Sequence, residues 1–477
     1  MSISTHVAKN TGFLIAGDMA SKLVMILFAS VLARRLGAGG FGEFMLAQVL
    51  GGIVIALADP GVSQIVYRDF ATSEDPPLLI GAGALLRLAF LPVAFGSLTL
   101  LAYLLGYSSQ VFSVIAVVGL AVLVLGIAEN YFSIFKAASK ALLVFCAQGF
   151  RSVLLLVLAL VLWKTRFGVG QVAVAYLTYA ILGTALVPLL ASAAGYHHKL
   201  PSLTYSVGVL RRGLPLALQA LMIYIYLYAD TVMLSVMRTM SEVGHYQAAY
   251  RLVTSLNIIG TAFVASVFPF FVQKYASGGH GLGEVYYRSM KYLLALGFGI
   301  AMGTTMLSDR IIVLFYGSGF SPSIRFLQIL IWSEALIFLS FVCNGLLLAL
   351  DRRWELFWQA VLAAILNLAL NLPIIYFWGA LGASATTVAT EIFALCFLIW
   401  RVHRSGIPLG QRWIPDLVRI AGACAGMSII LLLGEKLPLM PLIVLGACAY
   451  FGALFLTRFF DDVDIRLGRQ MLSITRV

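Results

Sequence analysis

Residues 34–47 read RRLGAGGFGEFMLA and form a basic, glycine-rich turn between two long apolar runs. Residues 238–249, RTMSEVGHYQAA, leave one apolar run and enter the next in the same way. Aligning Gly42 with Gly244 also brings an aromatic residue and an alanine of each stretch into register. The two stretches therefore indicate an internal repeat. Repeats of this size in an apolar chain are typical of transporters in which two helix bundles rock around a shared cavity.

The composition identifies the chain as a polytopic membrane protein. Of its 477 residues, 61% are hydrophobic and only 11% are charged, which excludes a soluble protein with a polar surface. Backbone groups in hydrocarbon must be satisfied within their own segment, so each spanning run is expected to be helical. An outer-membrane barrel is excluded because runs such as 153–163 and 336–350 are apolar on nearly every face instead of alternating. The expected fold class is therefore all-α.

About fourteen spans are predicted, arranged as two pseudo-symmetric six-helix bundles with an appended C-terminal pair. Their expected ranges are 12–33, 42–66, 78–104, 111–135, 142–163, 171–194, 213–236, 244–272, 288–315, 325–349, 355–378, 381–401, 414–434 and 438–458. This count divides the chain into an N-terminal bundle (1–195), a cytoplasmic linker (196–212), a C-terminal bundle (213–405), and a two-helix hairpin with a cytoplasmic tail (406–477). The connections leave no room for a soluble domain.

The charges predict the orientation. The chain carries 32 Lys and Arg against 20 Asp and Glu, a net charge of +12. With the N-terminus inside, nineteen basic residues fall in inner segments and eight in outer ones. The positive-inside rule therefore predicts an inner (plasma) membrane protein with both termini cytoplasmic. It also accounts for much of the basic excess, so no nucleic-acid partner is expected.

Five basic residues remain within the predicted spans, where an unpaired charge is costly and normally faces a bundle interior or water. They are Lys22, Arg87, Arg151, Arg251 and Arg419. Arg87 and Arg151 lie nearer the predicted inner ends and can instead snorkel, as can Arg419. The first four are the candidates for a cationic lumen, and the ligand that such a lumen attracts is an anion such as phosphate.

Three carboxylates are candidates for ion coupling or for ion pairing. Asp18 lies four residues before Lys22, so the two share a helix face and can pair. Asp230 comes shortly before Arg251 and offers a second pair, while Glu129 lies within the fourth span. A structural role and a role in coupling both stay open for each of them.

Several enzyme classes are excluded by missing motifs. The sequence has no Gly-x-x-x-x-Gly-Lys-Ser/Thr loop, and its histidines and cysteines lack the spacing of metal ligands. A membrane polymerase or ligase would need an extended loop or domain to shape its site, and none is present. We therefore expect a protein that is not an enzyme and that needs neither a metal nor a cofactor.

The sequence resembles the polysaccharide-transport branch of the multidrug/oligosaccharidyl-lipid/polysaccharide (MOP) exporter superfamily, the Wzx-type flippases. The matching stretches are 9–11 (KNT) at the first span, 35–42 (RLGAGGFG) and 59–61 (DPG) around the second, and 243–252 (VGHYQAAYRL) in the repeat. Pro269 at the end of the eighth span also matches. The resemblance extends over the whole chain, although each motif alone is loose.

This resemblance implies a flippase that moves polyprenyl-pyrophosphate-linked oligosaccharide repeat units across the inner membrane. The product would serve the synthesis of O-antigen (lipopolysaccharide), capsule or exopolysaccharide, beside a polymerase and export machinery. Arg251 matches the basic residue of the family's eighth span, and an H⁺ or Na⁺ gradient or the membrane potential would supply the energy. A lipid II flippase and a multidrug/cation antiporter share the fold and stay as alternatives. The excess of embedded Arg and Lys argues against the antiporter.

Overall fold

The computed structural model describes residues 3–409, 413–461 and 464, without the side chains of residues 3–9, 11 and 71. The predicted motif residues Lys9 and Thr11 therefore have no described side chains, and most of the predicted tail, 465–477, lies outside the described residues. The described residues form fourteen α-helices and no strand, which confirms the all-α prediction.

The helices follow one another with short connections. In chain order they are α1 (Ile3–Ala58), α2 (Val62–Asp69), α3 (Pro76–Leu104), α4 (Ser109–Ala137), α5 (Ala141–Lys164), α6 (Val169–Ala193), α7 (Leu203–Met237), α8 (Met240–Ser255), α9 (Asn257–Ala276), α10 (Leu282–Tyr316), α11 (Ser323–Ala349), α12 (Arg353–Arg404), α13 (Trp413–Leu433) and α14 (Leu439–Leu456).

Twelve helical segments of the described chain are long and apolar enough to cross a membrane. Two of them, Gly12–Ala58 and Arg353–Arg404, have 47 and 52 residues, whereas about 20 residues span a bilayer core. Arg353–Arg404 contains the predicted spans 355–378 and 381–401, whereas Gly12–Ala58 contains 12–33 and most of 42–66, which ends early because α1 stops at Ala58. One non-helical glycine interrupts each helix, Gly37 in α1 and Gly379 in α12. The prediction of about fourteen crossings agrees with this architecture.

The break in α12 is held by side chains from the α7–α8 connection. A break in a helix leaves carbonyl and amide groups without their usual partners, and buried groups of this kind must be satisfied. Arg238 donates to the carbonyl oxygens of Ile375 and Tyr376, at 3.0 and 2.6 Å from Nη2. The Glu242 carboxylate accepts the amide of Ala380 at 2.7 Å. Two side chains of the repeat stretch therefore satisfy both sides of the break.

Alanine at Gly379 is expected to destabilise the protein more than alanine at Gly37. Both glycines adopt positive φ, 56° and 67°, with extended ψ, a region that costs other residues about 1–3 kcal/mol. A Cβ at Gly379 would also meet Glu242 Oε1 at 1.9 Å, whereas a Cβ at Gly37 meets nothing within 4 Å. Thermal melting of the two purified variants checks this order, and equal melting temperatures would contradict it.

The chain divides into two compact units. Unit 1 consists of Met1–Ser255, Phe315–Ser323 and Ala360–Thr386, and unit 2 of Leu256–Leu314, Ile324–Gln359 and Thr387–Val477. The core of unit 1 includes residues of α2, α3, α4 and α7. Unit 2 contains two cores, one formed by α9, α10, α11 and the end of α12 and another where α13 and α14 pack against α10. The predicted boundary at 196–212 between two six-helix bundles stays a prediction.

Within unit 1 the two repeat stretches cross backbone against backbone. A Cβ built on Gly42 would lie 1.9 Å from Met240 O, and one built on Gly244 would lie 2.0 Å from Ala38 O. Only glycine permits such an approach, because real Cβ contacts essentially never fall below 3.0 Å. The glycines that aligned the repeat are therefore the crossing point of α1 and α8. A similar approach joins Gly61 to Gly213, in the first third of α7.

In unit 2 the segment after α14 is bound to α10 by a charged cluster. Lys291 Nζ lies 2.8 Å from Asp464 Oδ2, and both side chains are only 3% exposed. The Asp464 carboxylate also accepts from Arg288 and Tyr292. Lys291 in addition lies 4.7 Å from the ring centroid of Phe459. Phe459 and Asp464 are thereby held against the same helix on which α13 and α14 pack.

Candidate functional site

The site is built around Arg251, on α8 shortly after the glycine crossing. Its Nη1 donates to Gln48 Oε1 at 3.2 Å and contacts Met45 Sδ at 3.9 Å. Gln48 Nε2 in turn donates to the Tyr176 hydroxyl at 3.0 Å. A polar chain therefore leads from the second half of the repeat, across α1, to α6. It lies within unit 1 and within membrane-spanning helices.

Arg151 approaches the same chain from α5. The guanidinium lies 5.8 Å from the ring centroid of Phe132, a cation–π distance. Arg151 interacts electrostatically with Tyr179 and Tyr176, and Arg251 also acts on Tyr176. The tyrosines of α6 are neighbours, with ring centroids 5.3 Å apart. Arg151 lies about 15 Å along the 24-residue α5 at 1.5 Å per residue, which is still in the half of the helix that the sequence assigns to the inner side.

Lys22 lies at the level of Arg151 on an adjoining helix. The hydroxyls of Ser21 and Ser152 are 3.3 Å apart, which joins α1 to α5 next to both basic residues. Lys22 is half-buried and forms no hydrogen bond or ion pair with the described residues. The predicted pairing of Lys22 with Asp18 is wrong, because Asp18 is exposed and accepts from Gln148 Nε2 at 2.9 Å instead.

Asp230 does not pair with Arg251 either. It is 3% exposed and accepts from the Tyr246 hydroxyl and from the Thr231 amide, the latter at 2.6 Å. Gln247 on α8 adds a bond to the Thr231 hydroxyl at 2.6 Å. These short-range neutral donors satisfy the carboxylate, so it joins α7 to α8. Arg251 forms no ion pair with a described carboxylate.

Arg87 has a different environment from the other three cations. It is 4% exposed, and its guanidinium is bonded to the Asp59 carboxylate, the Gly126 carbonyl and the Ser63 hydroxyl, the last at 2.6 Å. Asp59 also accepts from the Ser63 amide at 3.1 Å, as expected for a residue at a turn. Arg87 therefore neither snorkels nor offers a free surface, and these contacts favour a role in packing α2, α3 and α4 together.

Two further charged residues complete the set. Glu129 on α4 is exposed and has no hydrogen-bond or ion-pair partner for its carboxylate among the described residues. It acts electrostatically on Tyr224 of α7. Arg419 on α13 was expected to snorkel, but it pairs with Asp416 at 3.0 Å.

Sequence reasoning missed Gln48, Tyr176 and Tyr179. The available signal was polarity within a span, because an amide side chain in hydrocarbon needs a partner and commonly joins helices. Gln48 stands in an otherwise apolar run directly after the repeat stretch. The sequence could therefore have identified Gln48 as a candidate, but it could not have identified its partners on α6 and α8.

The fold is that of transporters of the MOP superfamily. A solved structure of lipid II flippase MurJ in an inward closed conformation superposes with a TM-score of 0.77 at 14% identity, covering 93% of this chain and 98% of that one. An inward-facing multidrug resistance transporter of the MATE family gives a TM-score of 0.66 at 12% identity, covering 81% and 95%. At these identities the likeness concerns the fold alone.

The sequence comparisons are more specific. The profile of the family described as "Polysaccharide biosynthesis protein" matches residues 7–274, and the chain belongs to this family. A probable low-salt glycan biosynthesis flippase, Agl15, of Haloferax volcanii is 24% identical over 377 residues, 76% of this chain and 76% of that protein. The predicted family resemblance is thereby confirmed.

Proposed function

We propose that this protein flips polyprenyl-pyrophosphate-linked oligosaccharide repeat units from the inner to the outer leaflet of the plasma membrane. Membership of a polysaccharide biosynthesis family and similarity to a glycan flippase support this reading. The product would feed the synthesis of a surface polysaccharide. In this proposal the lipid tail stays in the hydrocarbon of the bilayer, while the sugar and pyrophosphate cross through the interior of the protein.

The observation that carries the proposal is the set of embedded cations without carboxylate partners. Lys22, Arg151 and Arg251 lie on three helices of unit 1, and none forms an ion pair with a described residue. A cation kept in a membrane without a protein counter-charge is costly, so its anion is expected to come from the substrate. A pyrophosphate offers two charged groups for bidentate guanidinium contacts.

Glu129 is our candidate for coupling to H⁺ or Na⁺. Asp18 and Asp230 are bonded to protein donors, whereas the Glu129 carboxylate is exposed and unpartnered among the described residues. Both termini are proposed to be cytoplasmic, and the helix bundles to be joined through 196–212. Association with a polymerase or export machinery is part of the same proposal.

The decisive experiment follows the sugar. Purified protein is reconstituted into vesicles with a polyprenyl-pyrophosphate oligosaccharide. The measured quantity is the fraction of the oligosaccharide that a membrane-impermeant hydrolase can cleave on the opposite side of the bilayer. Protein-dependent exposure is expected. A lipid II flippase would instead act on lipid II in the same vesicles, and a drug antiporter would export a cationic dye. If the protein exposes neither the polyprenyl-pyrophosphate oligosaccharide nor lipid II, the flippase function is refuted.

Arg251→Gln is expected to lower the rate of exposure about tenfold or more, because hydrogen bonds to a charged group contribute about 1.5–3 kcal/mol each. Arg251→Lys keeps the charge but loses the two-pronged geometry, so an intermediate rate is expected. Arg325→Gln is the control, since Arg325 is exposed near the start of α11. Equal rates for Arg251→Gln and the control, at matched expression, would exclude Arg251 from the transport path.

A further inference from the structure

A cavity of about 390 Å³ opens between two turns at one end of unit 1. One turn joins the two segments of α1 and the other joins α5 to α6. Its polar lining comes from Arg34, Arg35, Thr165, Arg166 and Gly168. The orientation proposed above puts this end outside the cytoplasm. The cavity is thus separate from the cations of Lys22, Arg151 and Arg251, which lie deep within their helices.

The charge of this cavity is unusual for its location. Three arginines line it, and none of its lining residues is acidic. Outer loops of membrane proteins are normally poor in basic residues. Only eight basic residues of this chain are assigned to the outside, and with Lys164 four of them fall on these two turns. Topology does not account for such a cluster, so a local anion is the simpler explanation.

The surrounding structure orients two of the guanidinium groups. Arg34 Nε donates to the Phe315 carbonyl at 3.1 Å, which ties it to the end of α10 within unit 1. Arg35 lies 5.1 Å from the ring centroid of Trp163, a cation–π contact that leaves its planar edge available for hydrogen bonding. These contacts reduce the side-chain freedom that an anion would otherwise have to restrict.

The first turn of α6 adds to the same field. Gly168, the residue before α6, lines the cavity, and the helix of 25 residues starts at Val169. The partial positive charge of a helix N-terminus favours a nearby anion. The donors that phosphate oxygens would meet are the guanidinium groups, because the Thr165 hydroxyl donates to Val161 O at 2.8 Å and the Gly168 amide donates to Gln171 Oε1 at 2.9 Å.

We propose that this cavity binds the phosphate group of a lipid at the outer surface. The ligand chemistry is a phosphodiester or pyrophosphate, because both present clustered anionic oxygens to arginine. Two sources share it: the headgroup of a phospholipid, and the pyrophosphate of the transported glycan lipid after it has crossed. The second source rests on the proposed function and gives the cavity a role in product release, while the first does not depend on transport.

Trp163 provides a local readout because Arg35 stacks on it. The full-length protein in detergent is titrated with sodium pyrophosphate, farnesyl pyrophosphate or dihexanoyl phosphatidylglycerol while tryptophan fluorescence is followed. The change in fluorescence that is lost in the Trp163→Phe variant is the part that comes from Trp163. Arg166→Gln is expected to weaken binding about tenfold, the loss of one charged hydrogen-bonding group. Lys164→Gln, on the same turn but not lining the cavity, should change it less than about twofold. Both residues are exposed, so neither variant should affect folding.

Comparing the affinities of the three probes distinguishes the transported glycan lipid from a phospholipid as the natural ligand. Tighter binding of farnesyl pyrophosphate supports the transported lipid, and tighter binding of the phosphatidylglycerol probe supports an annular phospholipid. Arg251→Gln should leave the Trp163 signal unchanged, so this site and the transport path are tested independently. The proposal is overturned if no probe alters the Trp163 signal at millimolar concentration, or if Arg166→Gln and Lys164→Gln weaken binding equally.

Discussion

Replacing Gly42 by alanine is expected to slow glycan exposure about tenfold or more, and Gly244→Ala should do the same. A Cβ at either position would occupy the space of a main-chain oxygen of the other repeat stretch. The backbones of α1 and α8 would then have to separate, and overpacking of this kind costs about 1–3 kcal/mol. We propose that this close crossing is needed in at least one state of an alternating-access cycle, so that its cost would slow transport.

Gly39→Ala is the matched control for this experiment. It lies in the same stretch of α1, but a Cβ there would meet nothing within 4 Å. Its rate should equal that of the unmodified protein. The exposure assay measures the rate per folded protein, with monodisperse gel filtration as the check on folding. If Gly42→Ala flips the glycan lipid as fast as Gly39→Ala, the close crossing is not required for transport.

Asp464→Ala is expected to destabilise the protein by about 3–5 kcal/mol, the usual cost of removing one partner from a buried ion pair. Lys291 would keep its charge in a place where its side chain is 3% exposed, with the Phe459 ring and the more distant charge of Asp461 as its described partners. Because Asp464 also accepts from Arg288 and Tyr292, a single change removes several bonds. Intrinsic-fluorescence melting in detergent should show a clearly lower midpoint.

Asp461→Ala separates burial from charge in the same segment. Asp461 also pairs with Arg288, at 3.1 Å, but its side chain is 47% exposed, so about 1 kcal/mol or less is expected. The double variant Lys291→Met/Asp464→Leu removes both buried charges and should regain much of the stability. Equal melting of Asp464→Ala and Asp461→Ala would show that burial of the Lys291 pair contributes nothing.

Most of the fold was predictable because hydrocarbon leaves few choices. Apolar runs of spanning length had to be helices, and the two similar stretches indicated an internal repeat, but not that these stretches cross each other. The continuation of α1 through Gly37 was not readable, since glycine-rich turns and helix breaks have the same composition. The attachment of the C-terminal segment to α10 was equally hidden, because it depends on residues more than 170 positions apart, such as Lys291 and Asp464.

The candidate site was only partly predictable for a related reason. Embedded charges are conspicuous in a sequence, but their partners are chosen by packing. Proximity along the chain suggested Asp18 with Lys22 and Asp230 with Arg251, whereas the three-dimensional neighbours are Gln148, Tyr246 and Gln48. Within the membrane a neutral hydrogen-bond donor can satisfy a carboxylate without a second charge. Such donors cannot be predicted from the spacing of charged residues in the sequence.

The break at Gly379 has a mechanical consequence. Its carbonyls and its amide are bonded by Arg238 and Glu242, which lie at the end of α7 and the start of α8. Four hydrogen bonds of this kind resist relative displacement far better than apolar packing does, because they are directional. We therefore expect a displacement of the beginning of α8 to move the α12 residues at the break with it. Gly379 would then be the hinge of α12, and the repeat stretch on α7 and α8 would be the element that moves it.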